Sequence, residues 1–349
     1  MRSQPPAAVI PPLLEVRNLS QAFRLPRLWP FAPPRVVHAV SAASFSVLSG
    51  ECLGLVGETG CGKSTLARTI MQSPRPVAGD VLLLGQSLVS ADPVALRLLR
   101  RQMQYVFQDP FASLDPTWRV GNLVAEPLRV AGDWDRRRID GRVAELLELV
   151  GLDPARYRDR RPRELSGGQC QRVGVARALA LAPRLLICDE VVSGLDVSVQ
   201  AQLLNLLEDL RREIGLSYLF ISHDLGVVRH ICDRVAVMYL GRIVELGPSD
   251  ALYRNPLHPY TAALLGAVPR IARASRDKRA RPARLTGELP SPLAPPSGCH
   301  FRTRCPRAAP ICAAQPPPMR TGASDHAVAC HFPLSGLPVS AAPLEAAYC

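Results

Sequence analysis

Eight consecutive residues, Gly57-Glu58-Thr59-Gly60-Cys61-Gly62-Lys63-Ser64, have the types and order of a phosphate-binding loop, and Thr65 continues it. Glycines let the backbone curl so that successive N–H groups face one anion, and a following helix adds its positive end. Lys63 then reaches the β- and γ-phosphates of a nucleotide, and Ser64 ligates magnesium. The alternative, a glycine-rich turn that binds nothing, leaves unexplained the apolar strand before it and the helical pattern of Leu66, Ile70 and Met71 after it. Lysine occurs only at Lys63 and Lys278 among 42 Lys and Arg residues. In so Arg-biased a chain, a lone lysine here points to a compact ammonium that the planar fork of Arg does not replace.

Downstream, the apolar run Leu185-Leu186-Ile187-Cys188 ends in Asp189 and Glu190. As a buried strand it presents both carboxylates at its C-terminal edge, where open α/β sheets bind ligands. Asp189 is expected to hold magnesium, and Glu190 to orient or deprotonate an attacking water. Alone, the pair is equally an acidic strand end facing solvent; beside a phosphate loop the chemical reading is the stronger.

Between these motifs Leu165-Ser166-Gly167-Gly168-Gln169 opens a helical pattern through Arg172 and Ala176. With it the chain resembles the ATP-binding-cassette (ABC) ATPases. Their other motifs follow in family order: Gln108 in Val106-Phe107-Gln108-Asp109-Pro110, then Ser193-Gly194-Leu195-Asp196, then His223 in Ile221-Ser222-His223-Asp224. The resemblance covers about residues 14–248. It implies two subunits head to tail, with ATP and Mg2+ between the phosphate loop of one and Ser166, Gly167, Gly168 and Gln169 of the other, the γ-phosphate bridging both halves. It also implies that Gln108 senses magnesium and water and that His223 hydrogen-bonds the γ-phosphate. Lys63, Gln108, Glu190 and His223 form the catalytic set, Asp196 belongs to the nucleotide site, and Phe23 stacks on adenine. Two residues depart from the family pattern. Val191 replaces the usual Pro after the glutamate but removes no reacting group. Cys61 replaces the commoner Ser and is expected to be open to oxidation or alkylation beside the phosphates.

These groups need a sheet to hold them. Over residues 14–248 short Val/Ile/Leu-rich runs alternate with longer helical patterns, an α/β arrangement. The resemblance makes it a P-loop NTPase core with a mixed sheet and an inserted helical subdomain at about 88–165. Residues 52–56 and 185–188 read as buried strands. Val199, Leu203, Leu206, Leu207, Leu210 and Ile214 recur at helical spacing with Gly215 as the stop, and a second helix over 142–150 ends at Gly151. Residues 234–247 read as a hairpin turning near Gly241. The expected organisation is a flexible tail at 1–13, an ATPase domain at 14–254 and a small C-terminal domain at 255–349.

No stretch approaches the roughly 18 apolar residues of a spanning helix, and residues 1–12 lack the basic-then-apolar pattern of a secretory signal. The chain is therefore expected at the cytoplasmic face of the membrane, bound peripherally. The net charge of +12 is dispersed and carried by Arg, which looks like codon bias rather than a nucleic-acid surface. Its one dense patch, residues 270–284, reads as a solvated linker, with contact to anionic lipid as the alternative.

Asn255-Pro256-Leu257-His258-Pro259-Tyr260-Thr261, Gly287-Glu288-Leu289-Pro290-Ser291-Pro292 and Phe107-Gln108-Asp109-Pro110-Phe111-Ala112-Ser113-Leu114 closely resemble segments of oligopeptide and dipeptide importer ATPases. That resemblance alone implies a peptide cargo, with nickel or glutathione import as alternatives. It also implies a homologous ATPase partner forming a heterodimer, two permeases and an external solute-binding protein. His258, between structure-setting residues, reads as a packing or hydrogen-bonding element. Of ten cysteines, Cys52, Cys61, Cys170, Cys188 and Cys232 sit among apolar or motif residues as small hydrophobes, and Cys349 is expected to have no role. Cys299, Cys305, Cys312 and Cys330 cluster in a Pro-rich, core-poor segment and suggest metal. Their spacing is not that of a zinc ribbon, and some similar dipeptide-importer ATPases hold a 4Fe-4S cluster there; zinc, aided by His300, His326 or His331, and free thiols remain open. A soluble ABC ATPase acting on ribosomes or DNA is the reading from another class. It usually carries two cassettes or a long insertion, whereas 102 residues separate Lys63 from Ser166 here.

Overall fold

The computed structural model describes residues 11–26, 29, 35–267, 287–322 and 325–335. They group into two compact units: those up to 48, 55–89 and from 224 onward in the first, and 49–54 with 90–223 in the second.

In the first unit Leu14–Leu25 is flanked by antiparallel Arg35–Val47 on one side and Ala78–Leu83, then Gln86–Ser87, on the other. Leu14, Val16 and Leu19 face Val47, Phe45 and Ala43 across the ladder, and all six are buried. The expected hairpin is present: Arg234–Tyr239 pairs with Arg242–Pro248, and Leu240 and Gly241 turn with φ 41° and 82°. Two left-handed central residues match the twist of the strands they join. The second hairpin strand pairs in turn with Ala327–Val328, which pairs with Arg320–Thr321. Residues 287–300 form neither helix nor strand, as their prolines require.

In the second unit Met103–Val106, Leu185–Asp189 and Ser217–Ile221 run parallel, with Val106 beside Cys188 and Asp189 beside Ile221. Every residue of the last two strands is buried, as strands covered on both faces must be. Helices Val120–Ala131, Arg136–Leu149 and Gly167–Leu179 pack on one another through buried Leu123, Leu128, Val143, Leu146 and Val173. The helix expected to end at Gly151 begins earlier than its apolar pattern suggests, because Asp135 accepts the Arg138 N–H at 2.8 Å and caps it. Val197–Ile214 stops at Gly215, φ 67°; Leu203, Leu207 and Leu210 are buried, while Ile214 is 52% exposed and outside the core.

Cys52, Cys61, Cys170, Cys188 and Cys232 are buried free thiols, as expected of small hydrophobes. Among the described residues no helix is long and apolar enough to cross a membrane. Most of the 1–13 tail, the basic patch at 270–284 and Cys349 lie outside the described residues.

Candidate nucleotide site

The phosphate loop follows the fully buried strand Cys52–Val56 and leads, in the first unit, into the helix Lys63–Ile70. Two of its glycines are sterically fixed. A Cβ on Gly57 would lie 2.2 Å from the Met238 carbonyl oxygen, and one on Gly62, at φ 107°, would lie 2.2 Å from that of Ala39. Thr59 and Gly60 are exposed, and Ser64 and Thr65 are half-buried in the first helical turn. Lys63 is buried, its ammonium donating to the Gly57 and Glu58 carbonyls at 2.8 and 3.2 Å. The Glu58 N–H donates to the Tyr260 hydroxyl at 2.9 Å, and its carboxylate receives Arg304 Nη1 at 2.9 and 3.1 Å.

Cys61 corrects the expectation of a reactive thiol. It is 1% exposed, and burial pushes its pKa up, with Lys63 offsetting this only in part. A thiol held in its protonated form is a poor nucleophile. Phe23 is 39% exposed on its strand, as a ring available for stacking must be.

In the second unit, Asp189 ends its strand buried, and its Oδ2 accepts the Tyr105 hydroxyl at 2.5 Å. Glu190 follows at φ 49°, held by its N–H to the Ile221 carbonyl at 2.9 Å and by the Ser193 N–H to its own carbonyl at 3.0 Å. A non-glycine residue kept left-handed stores strain, a feature concentrated at functional sites. Its Oε2 accepts Gln108 Nε2 at 2.8 Å and lies 3.3 Å from His223 Nδ1. Gln108 is fixed from behind, because Asp109 caps the short helix Pro110–Ser113 by accepting the Phe111 and Ala112 N–H groups. The buried Val191 packs where the family pattern has Pro, so apolar burial anchors this turn.

Ser166 caps the helix Gly167–Leu179. Its Oγ accepts the Gln169 N–H at 3.3 Å, and Gln169 Oε1 accepts the Ser166 N–H at 3.0 Å, a reciprocal box. Gln169 also donates to the Tyr157 hydroxyl at 3.1 Å. Gly168 has no room for a side chain, since a Cβ would meet Val199 Cγ1 at 2.3 Å. Asp196 is exposed at the start of Val197–Ile214 and makes no side-chain capping bond.

His258 is a buried structural group, as expected: its Nδ1 accepts the Tyr260 N–H at 3.0 Å, and its own N–H donates to Glu245. The four tail cysteines share one neighbourhood. The Cys299 N–H donates to the Cys312 carbonyl, and the Cys330 thiol is pushed up to about 11 by burial and then by Cys299, Cys305 and Cys312. Among the described residues, however, no group of three or more His, Cys, Asp or Glu side chains could hold a metal ion. Four thiols are suitable donors in type, and Cys299, Cys305 and Cys330 each feel the charge of neighbouring cysteines. The neighbouring histidines each have one ring nitrogen engaged. Ring nitrogens of His300, His326 and His331 engage the Leu240 carbonyl, Glu245 and the Gln315 carbonyl at 2.8, 2.8 and 3.0 Å.

Tyr105, Tyr260, Arg304 and Glu245 were not singled out by sequence. Tyr105 had a signal in its strand beside the acidic one, and Tyr260 in the Asn255 to Thr261 motif; Arg304 and Glu245 carry no local motif. A cavity of about 670 Å³ in the first unit is lined by Arg234, Arg242, Cys299, His300 and Phe301 among others, and by none of the nucleotide-motif residues.

Residues 40–193 match the ABC transporter family, and residues 244–312 match the oligopeptide/dipeptide transporter C-terminal region. The oligopeptide transport ATP-binding protein OppF of Escherichia coli is 50% identical over 91% of this chain and 95% of its own. Its counterpart AppF of Bacillus subtilis is 52% identical over 85% and 90%. Among solved structures, a dimeric post-hydrolysis ATP-binding cassette bound to ADP and Pi superposes with a TM-score of 0.60 at 25% identity, over 68% of this chain and 98% of the other.

Proposed function

Because the chain belongs to the family of ABC transporter ATP-binding proteins, we propose that it hydrolyses ATP to drive the import of di- or oligopeptides. Residues 14–254 form the ATPase domain, with the helical subdomain at about 88–165, and 255–349 the transporter-type C-terminal domain. Lys63 leaves its two loop carbonyls for the β- and γ-phosphates, and backbone N–H groups of the loop and of the following helix start would receive the anion. Ser64, Gln108 and Asp189 hold magnesium, which when bound neutralises charge developing on the phosphates. Glu190 polarises the attacking water, with Gln108 and His223 turning from its carboxylate towards water and γ-phosphate. Phe23 stacks on the base.

The observation that carries this reading is the meeting of Gln108 and His223 at Glu190 Oε2, 2.8 and 3.3 Å away. Two groups named by separate motifs are already gathered on the acid that must handle water. The test is ATP turnover by the purified chain: Glu190→Gln is expected to bind ATP and fail to cleave it, and Lys63→Ala to lose binding. Full turnover in either variant rejects the reading.

A homologous ATPase supplies the second half of each site in a heterodimer. The capped start of Gly167–Leu179 supports this, since it offers backbone donors to a second subunit's γ-phosphate. Exposed Phe107, Phe111 and Trp118 support docking on two permeases, and with it a peripheral position, proposed at the cytoplasmic face; a solute-binding protein acts on the permeases from outside. The names of the relatives favour peptides over nickel or glutathione. The tail cysteines enter as a thiol cluster. A 4Fe-4S centre on Cys299, Cys305, Cys312 and Cys330, with zinc as the alternative, rests on the family resemblance and on the donor type of the four thiols. Elemental analysis after anaerobic purification checks this, and an absence of both iron and zinc refutes the centre.

A further inference from the structure

Two residues from the C-terminal third close on the phosphate loop from behind. The Tyr260 hydroxyl accepts the Glu58 N–H at 2.9 Å, and Arg304 Nη1 sits 2.9 and 3.1 Å from the two Glu58 carboxylate oxygens. The Arg304 side chain is only 7% exposed and that of Glu58 23%, so water screens the pair weakly. Both partners are locked. Tyr260 is fully buried and meets Tyr239 edge-on at 4.7 Å, while Phe301 packs against the two at 5.5 and 5.1 Å. Arg304 lies over Tyr239, and its backbone N–H closes a turn on the Phe301 carbonyl at 3.0 Å. The loop touches the same wedge at two further points: the Cys61 carbonyl accepts the Gly241 N–H at 2.8 Å, and Gly57 abuts the Met238 carbonyl.

We propose that Arg304 and Tyr260 are positioning residues of the nucleotide site: Tyr260 fixes the backbone at Glu58, and Arg304 neutralises and restrains a carboxylate that would otherwise repel the phosphates. The claim rests on the phosphate loop being the ATP site. Two consequences follow from charge. Without Arg304, Glu58 presents an uncompensated anion within the loop that must accept a polyanion. Removing the Glu58 charge in that background removes the repulsion.

The test is the affinity of the purified full chain for Mg-ATP by calorimetry, with steady-state kinetics and thermal melting on the same variants. Arg304→Ala is expected to weaken binding roughly tenfold, raising KM more than it lowers kcat, and Glu58→Gln/Arg304→Ala to recover to within about threefold. Arg304→Lys, which keeps the charge, is expected to retain most of the affinity. Tyr260→Phe keeps the ring and deletes one acceptor, with an expected loss of about three- to tenfold, and it serves if Arg304→Ala does not fold. Wild-type affinity in Arg304→Ala and Tyr260→Phe overturns the proposal. So does a loss in Arg304→Ala that Glu58→Gln does not relieve and that follows a fall in melting temperature. Lys63→Ala is the control: if it binds normally the loop is not the site, whereas if it fails and the Arg304 and Tyr260 variants do not, only the positioning role falls.

Discussion

Gln108 donates a 2.8 Å hydrogen bond to the carboxylate of Glu190, a residue 82 positions later. The bond joins the exposed residue ahead of a capped turn to an acid held at φ 49°. Gln108→Ala should therefore lower turnover by disordering the acid, and by more than the lost magnesium contact lowers ATP affinity. A kcat loss of about tenfold is expected, against roughly 10²-fold or more for Glu190→Gln. Phosphate release alongside nucleotide binding separates the two effects; equal losses in kcat and affinity for Gln108→Ala would place it in binding instead.

Ser166 has two jobs whose sizes differ. As a helix cap with a reciprocal bond to Gln169, its loss to Ala should cost about 1 kcal/mol of stability. As part of the proposed second half of a site, its loss should reduce ATP-driven dimer closure far more than that cost explains. Denaturant unfolding and ATP-dependent dimerisation of Ser166→Ala give the comparison. Closure reduced only in proportion to stability would leave Ser166 a cap alone.

Cys61 is expected to stay unmodified under iodoacetamide near neutral pH in the folded chain, at least tenfold slower than free cysteine, because burial favours its protonated form. Denaturation should release it. Mass spectrometry of the phosphate-loop peptide reads this directly, and turnover of Cys61→Ser should lie within about twofold of the unaltered chain.

Local features were legible in the sequence where a short stretch determines its own geometry. The loop glycines, the turn at Gly241 and the Gly215 stop each follow from backbone sterics, and the continuous apolar runs at 52–56 and 185–188 follow from burial on both faces. What escaped depends on pairs distant along the chain. Arg304 lies 246 residues from Glu58, and Glu245 lies 81 from His326, so no periodicity marks either contact. The reactivity of Cys61 was misjudged for the same reason: neighbours in sequence gave its electropositive Lys63 but not the burial that outweighs it. Spacing likewise showed that the tail cysteines are near in sequence, not whether their thiols converge.

His258 gives the chain a pH dependence that can be isolated. Burial lowers its pKa to about 4, with Glu245 opposing the shift, whereas in the unfolded chain it titrates near 6.5. The unfolded state thus binds more protons between these values, so stability rises with pH across that window. It is fully present above about 6.5 and falls as pH drops towards 4, with a limit on the order of 3 kcal/mol. Protonation also turns His258 Nδ1 from acceptor to donor against the Tyr260 N–H it now receives at 3.0 Å, in a buried site with no other acceptor role for that ring nitrogen. Because Tyr260 in turn holds Glu58, loosening this turn reaches the phosphate loop. Asparagine can accept the same N–H two residues on without titrating. His258→Asn should therefore flatten the difference in unfolding free energy between pH 7 and pH 5 relative to the unaltered chain, measured by denaturant titration at matched ionic strength. An unchanged slope would show that other carboxylates and histidines set the acid sensitivity.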